Sequence, residues 1–207
     1  MLIAGRDRWR IRLDEPAALQ IALYVRDVAG LRPEIRPEIP ALDPPATVWP
    51  VWVRRPSGPS RPAPAVDATS VTEQWAGWWT HLLLSGQDGF GDLRPPAFPS
   101  LAQSPALREL VRHHWWDAEA WTDGLHDDPR RRRDLSGPWR ALGGLVQGLE
   151  DERGGTPADF RLRVTVLPVA GKRGWVLRPD HLLVTRALIA DQDNALDWLR
   201  MRIRPLL

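Results

Sequence analysis

The chain has 207 residues and a formal net charge of +2, with 12 Trp, 21 Pro, 27 Arg, one Lys and no Cys. Without Cys there is no disulfide framework, thiolate zinc site, iron–sulfur cluster or cysteine nucleophile, which excludes a large share of metal and redox chemistry. The 43% hydrophobic fraction supports a buried core, and 28 basic against 26 acidic residues are too evenly matched for a charged-tail protein.

At this size a single α+β domain spanning 1–207 is expected. Arg in place of Lys, with abundant Ala and Pro, points to a high-GC bacterial genome, so the pI of about 9.8 carries little weight as a sign of an anionic partner. The N-terminal MLIAGRDRWR meets charge after its first few residues, and no apolar run approaches the roughly 18 residues of a membrane span. A cytoplasmic location without signal peptide or membrane span is therefore expected.

In chain order, residues 8–13 alternate Arg8, Arg10 and Arg12 with Trp9, Ile11 and Leu13, the pattern of a half-buried strand. Asp14, Glu15 and Pro16 read as a helix start with a capping residue, and Gly30 as its end. Ten of the 34 residues in 32–65 are Pro, which removes backbone donors and predicts an extended arm or long loop. Its apolar centre, Val48-Trp49-Pro50-Val51-Trp52-Val53, is expected to dock on its own domain or on a partner. Ser70-Val-Thr-Glu73 reads as a capping box opening a helix to about residue 85, with Val71, Trp75, Trp78 and Leu82 on one stripe.

A third helix is predicted from residue 104 or 105 until just before Pro129, with Leu107, Val111, His114, Ala118, Trp121 and Leu125 inward. A fourth is predicted from Ser136 or Pro138 to Glu152; its Gly143, Gly144 and Gly148 are expected to admit a neighbouring backbone. The period then changes to two over residues 160–166, and Gly171-Lys-Arg-Gly174 is read as the turn of a hairpin returning over 175–177. Residues 181–185 are apolar enough for a central strand, and Asp191 caps a closing helix. The expected architecture is a small, mainly antiparallel sheet, made of the N-terminal strand, the C-terminal hairpin and the third strand, packed with about five helices and carrying the Pro-rich arm.

Glu109, His113 and Asp117 lie four residues apart and would share a helix face suited to a metal or proton transfer, but His114 falls on the apolar stripe, where a core histidine is the ordinary explanation. Arg130 to Arg133 is a basic run diluted by Asp127, Asp128 and Asp134 and is read as a solvated inter-helix loop. His181 beside Asp180 is an acid/base candidate at a surface turn. No G-x-S-x-G, Walker-type or H-E-x-x-H motif occurs, so no catalytic, cofactor or metal residue is assigned.

Strand periodicity gives a more specific grouping. Arg8, Arg10, Arg12, Arg161 and Arg163 would share the outer face of one sheet, a guanidinium patch suited to carboxylate or phosphate. Most of the tryptophans fall on predicted core stripes; Trp49 and Trp52 in the arm and Trp116 on the outer side of its helix do not, and are candidate partner contacts. The leading expectation is a non-enzymatic adaptor or assembly component that binds other protein subunits through the Pro/Trp arm and the Arg-bearing face. The alternatives are a hydrolase or transferase using His/Asp residues (His114, Asp117 or His181) in a Trp-lined cleft, and a phosphate-driven nucleic-acid binding protein.

Overall fold

The computed structural model describes residues 2–5, 8–46, 67–85, 93, 95–155 and 159–207. They fall into two compact units, Met1–Glu15 with Asp128–Leu207, and Pro16–Asp127.

In the first unit the strict alternation of residues 9–14 becomes a strand whose Trp9, Ile11 and Leu13 are buried. The sheet has five strands: β1 (Leu2–Gly5), β2 (Trp9–Asp14), β3 (Phe160–Leu167), β4 (Gly174–Arg178) and β5 (His181–Thr185), in the order β1-β2-β3-β5-β4. β1 pairs with β2, and β4 with β5, antiparallel, whereas β2 with β3 and β3 with β5 run parallel. The sheet is therefore mixed, not mainly antiparallel.

The anticipated hairpin between β3 and β4 does not form. β5, buried at all five positions, takes the place beside β3, and the more exposed β4 becomes an edge strand. Burial explains this exchange, because a strand without a polar side is best placed where both faces are covered. The hairpin turn is instead Pro179-Asp180, between β4 and β5.

Three helices, α4 (Pro129–Glu152), α5 (Arg186–Ala190) and α6 (Gln192–Ile203), share a core with one face of the sheet. Trp139, Leu142, Val146 and Leu149 of α4 and Leu199 and Ile203 of α6 meet Ile11, Leu162, Val164 and Val184 there. α4 starts earlier than its apolar stripe, because Asp128 accepts from the Arg130 amide at 2.9 Å and Pro129 fits the first turn. The run Arg130 to Arg133 is accordingly helical and not a loop. A Cβ on Gly143, Gly144 or Gly148 would meet nothing within 4 Å, so these glycines do not admit a neighbouring backbone. The short helix α5, capped by Thr185, and the strand β1 were not anticipated, whereas Asp191 caps α6 as expected.

The second unit contains α1 (Ala17–Val28), α2 (Ala68–Ser85) and α3 (Pro105–Asp127). α1 follows Pro16 without a side-chain cap, since Asp14 belongs to β2, and it ends before Gly30, which has φ +64°. The cap of α2 is Asp67, whose carboxylate accepts from the Ser70 amide at 2.7 Å, so Ser70 lies in the first turn and does not open a capping box. The Trp75 indole donates to the Ala22 carbonyl at 2.8 Å and stacks on Trp79 at 5.4 Å between centroids. Gln74 accepts from the Leu107 amide in the first turn of α3 at 3.0 Å.

Of the Pro-rich arm, residues 32–46 are described, and they dock on α1. Ile39 and Leu42 are buried, and Arg26 donates to the carbonyls of Ile39 (2.8 Å) and Pro40 (2.6 Å) while Asp27 accepts from the Leu42 amide at 2.7 Å. Among the described residues no helix is long and apolar enough to cross a membrane.

Candidate anion-binding basin

The parallel register of β2 and β3 places Arg10 beside Arg161 and Arg12 beside Arg163, on the sheet face opposite the helical core. Strand spacing of about 4.8 Å and a repeat of about 6.6 Å for alternate residues make these four positions a tight rectangle. β5 pairs His181 with Arg163, and the edge strand pairs Arg178 with His181. Arg10, Arg12, Arg161, Arg163 and Arg178, together with Leu162, Asp180 and His181, line a half-open basin of about 210 Å³. Arg8 is not part of this lining; it precedes β2, and its carbonyl accepts from Arg161 Nη1 at 2.6 Å.

Acidic compensation is sparse. Arg12 pairs with Asp14 at 3.1 Å and Arg178 with Asp180 at 3.6 Å. The guanidiniums of Arg10 and Arg163 have neither a hydrogen bond nor an ion pair among the described residues, and Arg161 bonds only to carbonyls. Arg12 Nη2 is shielded from solvent and also lacks a hydrogen bond. Two like charges about 6 Å apart repel by roughly 1 kcal/mol in water and about 3 kcal/mol at an effective dielectric near 20, so an anion in the basin removes a standing penalty.

The floor of the basin is buried and polar. His181, 3% exposed, has Nε2 3.0 Å from Thr165 Oγ1, which in turn donates to Asp14 Oδ1 at 3.4 Å. The single hydroxyl proton goes to Asp14, so Nε2–H of a neutral imidazole is the donor to Thr165. The His181 pKa is lowered to about 4, first by burial and then by the neighbouring Arg163 and Arg178 guanidiniums, against a smaller upward pull from Asp180. Burial also raises the Asp14 carboxyl above its ordinary value, against the pull of Arg12, Arg163 and the Thr165 hydrogen bond. At neutral pH the basin thus joins fixed guanidinium charge to an uncharged imidazole, a chemistry suited to oxoanions.

Of the five arginines grouped from strand periodicity, Arg10, Arg12, Arg161 and Arg163 come together here and Arg8 stands aside. Arg178, Asp180 and His181 fall outside that grouping because local periodicity makes β4 the partner of β3, and only the insertion of β5 brings them to the same face. His181 is a buried strand residue and not a surface turn, and among the described residues its basin is lined by arginines and not by tryptophan.

The other candidates lie elsewhere. Trp116 is 55% exposed on α3. Trp49 and Trp52 lie outside the described residues. Glu109 is paired with Arg112, His113 meets His114 edge-to-face at 4.6 Å, and Asp117 is buried. No group of three or more His, Asp or Glu among the described residues is arranged to hold a metal ion.

Comparison of the chain with protein-family models, with curated proteins and with solved structures gave no match in any of the three.

Proposed function

We propose that this chain is a non-enzymatic cytoplasmic adaptor that holds an acidic segment of another protein against the arginine-lined face of its sheet. One observation carries the reading: Arg10 and Arg163 are set in register beside Arg161 and Arg12, and their guanidiniums have no ion pair or hydrogen bond among the described residues. Guanidinium groups arranged in this way recognise carboxylates in a bidentate fashion, and charge matching of this kind sets the association rate and the choice of partner. The apolar segment at Trp49 and Trp52 supplies a second anchor in this proposal, as large aromatics commonly do at interface centres.

The test uses the full chain with a fluorescent oligoglutamate peptide. Binding is expected at 50 mM salt, falling as salt rises, and the double variant Arg10→Ser/Arg163→Ser is expected to lose it by about tenfold or more. Undiminished binding by a folded double variant would remove the arginine face from the proposal.

A further inference from the structure

We infer that the basin takes a phosphomonoester dianion, presented by the partner protein as a phosphorylated side chain. This deepens the adaptor reading and depends on it for the source of the phosphate; the basin chemistry stands apart from it.

The charge balance favours a dianion over a carboxylate. Five guanidiniums face one lining carboxylate, Asp180, with Asp14 close by, and both acids are already paired with arginines. A single carboxylate of the partner would neutralise one of the three remaining charges at Arg10, Arg161 and Arg163. A phosphomonoester brings about two charges and three strong acceptor oxygens, enough to meet two forks at once. The size agrees: about 210 Å³ is the liquid volume of roughly seven waters, room for the phosphoryl group and the atoms linking it to a chain. A half-open basin also fits a group that arrives on a tether.

The grouping argues against a polynucleotide. Its phosphodiesters carry one charge each and follow a track, whereas four guanidiniums of the basin are gathered on two neighbouring strands and the fifth, Arg178, joins them from the edge strand β4 around one basin. The neutral His181 at the floor supplies an internal reporter. A dianion beside it offsets the field of Arg163 and Arg178 that disfavours its protonation, so occupancy raises its titration midpoint from about 4.

The experiment is calorimetric titration of the full chain with three peptides of one acidic sequence bearing phosphoserine, Glu or Ser at the centre. Glycerol 2-phosphate and an oligothymidine without terminal phosphate serve as further probes. The phosphoserine peptide is expected to bind about tenfold or more tighter than the Glu peptide, and to raise the His181 midpoint by about one unit in NMR titration. Arg163→Gln is expected to abolish that preference and Arg10→Gln to reduce it, with circular dichroism and thermal unfolding confirming the fold of each. Arg200→Gln, at a residue paired with Glu152 away from the basin, leaves the preference unchanged.

Equal binding of the phosphoserine and Glu peptides overturns the dianion site and leaves the adaptor reading standing. Glycerol 2-phosphate binding as tightly as the phosphopeptide keeps the site but overturns its protein source. Binding of none of the probes, or preference for oligothymidine over every peptide, overturns both.

Discussion

The indole of Trp198 on α6 fills the space that a side chain on Gly174 of β4 would need: a Cβ built on that glycine would lie 2.6 Å from Trp198 Cε2. On the same ring the Arg202 guanidinium sits 5.3 Å from the centroid, so the aromatic ring is held by the strand and by its own helix. Gly174→Ala therefore forces the ring aside and is expected to cost about 1–3 kcal/mol, read as a lower midpoint in urea unfolding. Trp198→Leu in the same chain relieves the crowding, so the double variant should lose less than the two single losses added together.

On α4 the opposite outcome is expected. Gly143 and Gly144 are exposed, helical and free of neighbours at the Cβ position, so their only effect on the helix is conformational. Gly143→Ala and Gly144→Ala should each stabilise the fold by about 0.5–1 kcal/mol, and Val at either site by less. Thermal unfolding of the two variants and their combination checks this.

Acid stability should depend on His181. Its folded pKa is lowered to about 4, so between about pH 6.5 and 4 the unfolded chain binds a proton that the native one refuses. Stability is therefore full above about pH 6.5 and falls as the pH drops toward 4, by up to about 3 kcal/mol. Asp14, with a raised folded pKa, acts in the reverse sense, its native state holding the proton longer as pH rises above the ordinary carboxyl range. The groups around His181 are Thr165, Asp14, Arg163, Arg178 and Asp180. His181→Asn removes the imidazole, and urea unfolding at pH 4.5 and 7 should then show a flatter pH dependence than the parent chain.

The described part of the Pro-rich arm depends on one buried guanidinium. Arg26 is 5% exposed, reaches the carbonyls of Ile39 and Pro40, pairs with Asp27 and lies 6.0 Å over the Trp75 ring. Arg26→Ala leaves Asp27 and two carbonyls without that donor and should cost about 3 kcal/mol, with residues 31–46 losing amide-exchange protection first. Arg26→Lys keeps the charge but not the fork and should recover only part of the loss.

Helix and strand identity were largely legible from period: residues 9–14 and 160–167 alternate, and the stripe of α3 repeats at three and four. Capping by Asp191 was equally readable, because a short acid before a helical period has a local cause. The order of strands was not legible. β3 and β4 are neighbours in sequence and are joined by a glycine-bounded turn, and only the burial of β5, a property of tertiary context, decides that it lies between them. For the same reason four arginines of the basin followed from alternation, whereas Arg178 and His181 depend on pairing across a strand that the local pattern placed elsewhere.

The strand order also sets the sequence of events during synthesis. The β1–β2 hairpin is made first, yet β2 pairs with residues that emerge from the ribosome only after Phe160, once the whole of Pro16–Asp127 has been produced. For that interval the free edge of β2 has no partner, and a naked apolar strand would be liable to pair with other chains. Arg10 and Arg12 on that strand carry the gatekeeper charges that discourage such pairing. The arginines that line the basin of the folded protein are therefore the same ones that put charge on the unpaired strand of the nascent chain.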